Sequence, residues 1–391
     1  MTLECIDNEP RTLREALNGP DKHQWMESAR AEWDALERNG TFQVVKKPEG
    51  LEEGDIVKSG HVFKVKRDSQ GEIERYKTRV VARGYMQVEG VNYQDIFAPV
   101  ARMEAFRLML ALVAIMDLEL DHMDVTTAFL NGILKEDVYM YPPMDGEECV
   151  WQKLPEGFVL KMLKALYGLK QAGRTWYDTI HDAFIREYGF TRLEADHCLY
   201  LVQWKDGNFI LILLFVDDLA LALNSREMLD GFKESLMEKF EMKDLGELRW
   251  FLGMRITRDR GRRTLGIDQS QYIDKMVANY QLPNKTAWTP VEAGHDFVSY
   301  DPKSQITKKY QSLIGFLMYA MCGTRPDIAY GVSTLSRFNH NPSSEHYNAA
   351  LRILKYLEGT RNLGILYGSK GSGRDTVLGY SDSGYADDKD H

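Results

Sequence analysis

The sequence predicts an α+β fold, and three features of the chain support this class. Segments with apolar residues at helical spacing alternate with short apolar runs typical of strands. Several of these runs follow one another across short polar turns, as the strands of antiparallel hairpins do. From about residue 272 the pattern changes to helices and loops. We therefore expect sheets covered by helices, followed by a mostly helical C-terminal segment.

The first strong element is an amphipathic helix over residues 21–39. Its apolar face is formed by Trp25, Ala29, Trp33 and Leu36. Residues 61–85 then predict a strand, a DSQG turn and a returning strand, and between positions 58 and 87 eight Lys or Arg accompany three acids. This basic hairpin can hold phosphates, although the net charge of the whole chain is −9. The alternative is a solvated edge whose lysines block aggregation, and the local sequence supports both equally.

A buried helix is predicted over residues 101–118, and an alternating stretch after it ends at Asp124. The most apolar stretch of the chain, residues 209–223, contains the adjacent acids Asp217 and Asp218. Two apolar runs that meet at a polar pair predict a hairpin with the acids at its tip. Asp is also a common turn residue, so the pair alone does not establish a site.

Asp124 is the partner carboxylate that distinguishes these interpretations. A strand-end acid beside the Asp217–Asp218 tip would form a cluster of carboxylates, and burying unpaired carboxylates is costly. Such a cluster could hold two divalent cations about 3.5–4 Å apart, an arrangement that activates an attacking oxygen and stabilises a leaving one in phosphoryl transfer. The sequence therefore predicts a metal-dependent phosphoryl-transfer site.

The elements around this site are predicted from local signals. Residues 137–158 are rich in Pro, Gly and acids and predict an irregular loop. An amphipathic helix is expected to end at Gly189, and Ser225 is expected to cap the next helix. His346 has no metal-ligand pattern around it, so a capping or surface role is expected.

Composition excludes several classes of protein. No run of about 18 uncharged apolar residues occurs, so no membrane span is predicted. The N-terminus lacks a basic region followed by an apolar one, which argues against secretion. No CxxC spacing occurs among the cysteines, so neither a zinc site nor a disulfide framework is expected, and the setting is predicted to be intracellular. The cysteines are Cys5, Cys149, Cys198 and Cys322.

The acids stand within an ordered series of motifs that extends over nearly the whole chain. In order these are RYKTRVVARGYMQ, GVNYQDIFAPVAR, MDVTTAFLNG, ALYGLKQAGRTWY, FVDD, FLGMRI, GTRPDIAYGVSTLSR, LKYLEGT and LGYSDSGYA. This series resembles the reverse transcriptase region of Pol polyproteins from copia-type long-terminal-repeat retrotransposons. A lone VDD would be weak support, whereas the ordered set is specific.

The resemblance implies a right-hand polymerase with fingers, a βαββαβ palm and a partial thumb and connection. The predicted ranges are a leader (1–20), a fingers-like region (21–100), the palm (101–258), a thumb- or connection-like region (259–376) and a truncated start of ribonuclease H (377–391). Asp382 matches the first metal-binding acid of that last domain. Its other acids would lie beyond His391, so ribonuclease H activity is not expected.

The resemblance also assigns roles to residues. Asp124 matches the first palm acid, Asp217 the essential ligand of the acidic pair and Asp218 a supporting one; together they would hold two Mg²⁺ ions, or Mn²⁺. Matches to nucleotide-binding positions are Lys77 and Arg79 for the triphosphate, Phe129 for exclusion of a 2′-hydroxyl and Gln171 for a nucleotide contact. The primer grip is matched by Phe251, Leu252 and Gly253. The implied partners are an RNA or DNA template with its primer and deoxynucleoside triphosphates; no membrane partner is expected and the oligomeric state stays open.

The leading hypothesis is an RNA- and DNA-directed DNA polymerase that extends a primer 3′-hydroxyl. One alternative is a catalytically silent, truncated retrotransposon remnant that only binds nucleic acid. Another is a metal-dependent phosphodiesterase that uses the same acids, and a third is a truncated chain that does not fold stably. The family implies cytoplasmic virus-like particles as the location, with the nucleus as a second compartment.

Overall fold

A computed structural model describes residues 9–67, 72–144, 154–280, 282, 287–292 and 306–368. The helices are α1 (Leu13–Asn18), α2 (Lys22–Arg38), α3 (Met103–Met116), α4 (Ala172–Asp182), α5 (Arg226–Lys239), α6 (Ser270–Ala278), α7 (Thr307–Gly323), α8 (Ala329–Ser336) and α9 (Ser344–Gly359). The strands are β1 (Phe42–Lys46), β2 (Ser59–Arg67), β3 (Ile73–Ala82), β4 (Glu119–Val125), β5 (Ile133–Met140), β6 (Phe158–Lys164), β7 (Thr191–Arg192), β8 (Leu199–Gln203), β9 (Phe209–Phe215), β10 (Asp218–Leu223), β11 (Met242–Glu247), β12 (Trp250–Phe251), β13 (Met254–Asp259), β14 (Thr264–Asp268) and β15 (Ile365–Gly368). The predicted DSQG turn and Asp382 lie outside the described residues.

A six-stranded sheet in the order β11-β4-β10-β9-β8-β7 lies at the centre of the structure. Its neighbouring strands are all antiparallel, and the predicted acidic hairpin is formed by β9 and β10. One face of the sheet packs on α4 and α5, and the other packs on α3 and the smaller β12–β15 sheet. Because both faces are covered, β9 and β10 are apolar along nearly their whole length.

A second body contains the predicted amphipathic helix and the basic hairpin. The strands β1, β6 and β5 form a three-stranded antiparallel sheet, and β2 pairs with β3. Helix α2 confirms the predicted amphipathic helix. Its Trp25 packs edge-on against Phe63 and Tyr76, with ring centres 5.2 Å and 4.6 Å apart. Apolar packing therefore fixes α2 across the basic hairpin.

Helix α2 also covers the edge of β3 that faces away from β2. The Ser28 hydroxyl accepts from the Thr78 N–H at 2.7 Å and donates to the Tyr76 carbonyl at 3.2 Å. One turn further along α2, Glu32 accepts from the Val80 N–H at 3.2 Å. These side chains give buried backbone groups the partners that a further strand would otherwise supply.

The C-terminal helices α6 to α9 pack around an apolar core of their own. They meet the rest of the structure at the β12–β13 turn, where the Tyr319 hydroxyl of α7 donates to the Leu252 carbonyl. His346 accepts from the Ser343 N–H at 2.9 Å at the start of α9, which confirms its predicted capping role. Ser225 likewise caps α5 by accepting from the Met228 N–H.

The predicted α+β class and helical C-terminal segment are confirmed, but the loop predicted at 137–158 is partly wrong. Residues 137–140 belong to β5, in which Val138 and Met140 are buried, and residue 158 begins β6. The pairing partner of β5 follows about 20 residues later, so the Pro and Gly between the two strands dominated the local pattern. Among the described helices, none is long and apolar enough to cross a membrane.

Candidate active site

The turn of the β9–β10 hairpin carries the acidic pair. Val216 adopts a left-handed backbone conformation (φ 58°), which is unfavourable for a β-branched residue. The buried Trp176 of α4 donates from Nε1 to the Val216 carbonyl at 2.6 Å. Asp217 follows in the turn, and Asp218 is the first residue of β10. Helix α4 therefore holds the shape of the turn that presents both acids.

Asp124 lies beside this pair. It is the Cα partner of Asp218 between β4 and β10, and the N–H of Val125 donates to the Asp217 carbonyl at 2.8 Å. The structure thus places the three predicted acids at adjacent backbone positions. Asp124 and Asp218 also share one face of the sheet, because cross-strand partners point to the same side.

The acids concentrate negative charge at one point. Burial raises the pKa of the Asp217 carboxyl, and the charges of Asp218 and Asp124 raise this pKa further. The backbone N–H of Asp217 and the guanidinium of Arg79 lower this pKa, but by less than burial and the neighbouring acids raise it. An ionised Asp217 is therefore held in an unfavourable environment, which a bound proton or cation would relieve.

His122 contacts the acidic pair from β4 and was missed by the sequence analysis. Its Nε2 lies 2.8 Å from Oδ1 of Asp218, and its ring packs edge-on against Phe251 with centres 5.6 Å apart. The one available signal is its position two residues before Asp124, which places both on the same strand face. His122 fixes one oxygen of Asp218 and joins it to the β12–β13 hairpin.

The donor set fits a magnesium site. Within the described ranges, no three His, Cys, Asp or Glu side chains converge into a ready-made metal cluster. Mg²⁺ prefers oxygen ligands and usually binds through one or two carboxylates, with waters and substrate phosphates completing its shell. Asp124 and Asp217 supply such carboxylates, and repulsion between them favours a cation. The residues that would hold Mg²⁺ are Asp124 and Asp217, with Asp218 in support.

A cavity of about 500 Å³ lies between α2 and β3 and reaches the end of β4 at Thr126 and Thr127. Lys77 and Arg79 of the basic hairpin line it, as Glu32 of α2 does. Burial lowers the pKa of the Lys77 ammonium, and the nearby Arg and Lys side chains lower it further. The cavity therefore concentrates positive charge that an anion would stabilise.

Tyr167 lines this cavity and is also close enough to Asp217 for that charge to affect its pKa. The guanidinium carbon of Arg79 lies 4.7 Å from the centre of the Tyr167 ring, a cation–π contact. The Tyr167 ring in turn contacts Phe129 at 4.7 Å in a T-shaped arrangement. The charges of Arg79 and Asp217 both act on the pKa of Tyr167, which burial raises. Arg79, Tyr167 and Phe129 thus form a continuous set of contacts near Asp217.

Gln171 lies apart from the cavity. Only 2% of the residue is exposed, and its side-chain oxygen accepts from Nε2 of Gln87 at 3.0 Å. Its side-chain nitrogen donates to the Asn92 carbonyl at 2.9 Å. In this structure Gln171 hydrogen-bonds to both ends of the loop between residues 87 and 92, and it does not line the cavity.

The predicted primer grip is a tight hairpin turn. Leu252 and Gly253 both have positive φ (50° and 72°), as the two central residues of a type I′ turn do. Phe251 is buried against Phe106, with ring centres 4.8 Å apart. The turn is therefore anchored by Phe251 on one side and by Tyr319 on the other.

A family of known proteins matches the part of the chain that contains these features. The family model "Reverse transcriptase (RNA-dependent DNA polymerase)" matches residues 39–293, about two thirds of the chain. The chain belongs to the reverse transcriptase family. The matched range contains Lys77, Arg79, Asp124, Phe129, Gln171, Asp217, Asp218 and residues 251–253.

This member of the reverse transcriptase family is similar to Pol polyproteins of plant retrotransposons. It is 39% identical over 98% of its length to the retrovirus-related Pol polyprotein from transposon TNT 1-94 of Nicotiana tabacum. It is 34% identical over 99% of its length to that from transposon RE1 of Arabidopsis thaliana. The predicted resemblance to copia-type Pol is thereby confirmed. The chain spans 29% and 25% of the lengths of these relatives.

Among solved structures, the chain is similar to a foamy viral protease-reverse transcriptase in complex with double-stranded DNA. The match covers 85% of this chain and 48% of that one, with 14% identity and a TM-score of 0.43. In the reverse transcriptase family member described here, the residues of the candidate site that sequence reasoning missed are His122 and Tyr167. Both lie within quoted motifs or next to them, but their contacts depend on how distant parts of the chain pack together.

Proposed function

We propose that the chain is an RNA- and DNA-directed DNA polymerase that adds deoxynucleotides to a primer 3′-hydroxyl. The observation that carries this proposal is the pairing of Asp124 with Asp218, with Asp217 in the adjoining turn, near a cavity lined by Lys77 and Arg79. Membership of the reverse transcriptase family supports the same conclusion.

The three acids would hold two divalent cations, Mg²⁺ or Mn²⁺. When bound, such ions lower the pKa of an attacking hydroxyl and neutralise charge on a leaving group. The chain itself contributes carboxylates on a rigid hairpin, since Val216 is held by Trp176 and Asp218 by His122. Fixed carboxylates matter because small displacements of reacting groups slow the reaction strongly.

The basic cavity would receive the incoming nucleotide. Lys77 and Arg79 would bind the triphosphate through charge-assisted hydrogen bonds. Phe129, which contacts Tyr167 in a T-shaped arrangement, would exclude a 2′-hydroxyl. The hairpin turn at residues 251–253 would position the primer end, and its contact with His122 supports this placement next to the acids. The partners are then a primed RNA or DNA template and deoxynucleoside triphosphates, and the proposed setting is intracellular.

Primer extension by the purified chain tests this function. RNA and DNA templates are each supplied with deoxynucleotides and Mg²⁺, and the products of the unmodified chain are compared with those of Asp217→Asn. We expect extension on both templates and a loss of about 100-fold or more in the variant, because removing a metal ligand forfeits several kcal/mol of transition-state stabilisation.

The matched control is Asp182→Asn, which makes the same change at a half-exposed carboxylate of α4. It should extend primers as the unmodified chain does. Folded protein that binds primer–template without extending it would contradict the proposal and support the catalytically silent alternative. Cleavage of nucleic acid without extension would support the phosphodiesterase instead.

A further inference from the structure

The segment between β6 and α4, residues 165–171, passes the cavity, and Tyr167 is its residue in the cavity wall. Gln171 lies four residues later, is 2% exposed and hydrogen-bonds to Gln87 and Asn92. A nucleotide in the cavity would therefore meet the Tyr167 ring, whereas Gln171 is buried away from the cavity wall.

The backbone of Tyr167 is fixed to the basic strand β3. Its carbonyl accepts from the Ala82 N–H at 2.8 Å. The next residue, Gly168, has φ 90°, and a Cβ there would lie 2.1 Å from the Ala82 carbonyl oxygen. A residue with a side chain cannot occupy this position without moving the backbone. The Tyr167–Gly168 pair is thus locked to the end of the strand that carries Lys77 and Arg79.

The side chain of Tyr167 contacts two other side chains. Arg79 lies over its ring at 4.7 Å, and Phe129 contacts it at 4.7 Å. A guanidinium held against an aromatic face loses less conformational freedom when it later binds a phosphate, because it is already ordered. Phe129 gains a rigid neighbour in the same way.

We propose that Tyr167, and not Gln171, is the residue of this segment that serves the incoming nucleotide. It is a positioning residue: its ring orients Arg79 toward the triphosphate and supports Phe129 beneath the sugar. This inference rests on the proposed polymerase function and identifies a residue that lines the proposed nucleotide site.

The test measures nucleotide affinity without requiring chemistry. A primer ended with a dideoxynucleotide is bound with its template to the full chain, and the concentration of the next deoxynucleoside triphosphate that half-maximally stabilises this complex is determined. Tyr167→Leu removes the ring, Tyr167→Phe removes only the hydroxyl, and Gln171→Ala is the matched comparison.

We expect Tyr167→Leu to raise the required nucleotide concentration about tenfold, with primer–template Kd unchanged within about twofold, as for loss of a cation–π contact. Tyr167→Phe should stay within about threefold of the unmodified chain, because the ring is retained. Gln171→Ala should lower the thermal unfolding temperature without changing nucleotide affinity. In steady-state extension, Tyr167→Leu should raise KM more than it lowers kcat.

Unchanged nucleotide affinity in Tyr167→Leu, or a tenfold loss in Gln171→Ala, would overturn the inference. If Tyr167→Leu does not fold, Tyr167→Met provides a flexible side chain without an aromatic face, and the same tenfold change is expected. A chain that binds nucleotide in this assay but does not extend an unblocked primer would refute the polymerase activity alone, so the two failures are distinguishable.

Discussion

His122 is the side chain that connects the acidic pair to the neighbouring strand. Its Nε2 contacts Oδ1 of Asp218 at 2.8 Å, and its ring lies against Phe251. Partners of this kind orient a metal-binding carboxylate, and losing one typically weakens metal affinity about 10- to 100-fold. The supporting role predicted for Asp218 thus depends on a residue outside the acidic cluster.

Replacing His122 by Ala should raise the Mg²⁺ concentration needed for half-maximal primer extension by about tenfold. The physical reason is that Asp218 loses the contact that fixes its orientation. A Mg²⁺ titration of extension measures the effect, and His122→Gln, which can still donate from its side-chain nitrogen, should recover most of the affinity. An unchanged Mg²⁺ dependence in His122→Ala would show that His122 does not orient Asp218.

The acids could be predicted from the sequence, but the side chains around them could not. Asp217 and Asp218 interrupt a continuous apolar run, so the signal is local. Gln171, Tyr167 and His122 stand in polar or mixed segments, where the direction of a side chain depends on distant pairing. The hydrogen bonds of Gln171, for example, reach Gln87 and Asn92, about 80 residues earlier.

At the scale of elements, the basic hairpin is shaped by helix α2 as well as by the pairing of β2 with β3. Ser28 and Glu32 occupy the β3 edge through side chains one helical turn apart. The alternative of a solvated edge is therefore wrong for this edge of β3, because a helix covers it. The sequence did not reveal this contact, since it joins residues 50 positions apart.

Ser28→Ala should lower the free energy of unfolding by about 1–3 kcal/mol, because the buried Thr78 N–H loses its partner. Chemical denaturation measures this change. Ser336→Ala is the matched control, since its hydroxyl bonds only to the carbonyl three residues earlier on an exposed helix end, and it should change stability by less than about 0.5 kcal/mol. Equal effects of the two substitutions would show that the α2–β3 contact does not stabilise the fold.

Sheet pairing also revises how the elements group. β6 pairs with both β1 and β5, so the body that holds the basic hairpin includes β5 and β6. The sequence analysis placed those residues in the palm range. A motif series fixes the order of functional segments, but it does not show which strands share a sheet.

At the scale of the whole molecule, the C-terminal helices reach the candidate active site through one turn. Tyr319 of α7 donates to the Leu252 carbonyl, Leu252 follows Phe251, and Phe251 contacts His122. A helical body with its own core is thereby connected to the acids through the predicted primer grip. We expect this body to influence how long a primer stays bound rather than how fast one nucleotide is added.

Tyr319→Phe should shorten the products made in a single binding event between about two- and tenfold, the range given by one lost hydrogen bond. Extension in the presence of a trap for dissociated enzyme measures this length. Addition of one nucleotide at saturating enzyme should be unaffected. Tyr330→Phe, at an exposed position on α8, is the control, and a similar shortening there would indicate that the Leu252 contact is not responsible.

The pairing of β1 with β6 has a consequence for biosynthesis. Phe42 pairs with Met162, so the first strand of the three-stranded sheet leaves the ribosome about 120 residues before its partner. At typical elongation rates of about 5–20 residues per second, β1 waits on the order of ten seconds with an open edge. During that interval the nascent chain offers an unpaired strand to other polypeptides. Association with chaperones is therefore most useful to this protein before residue 164 has emerged.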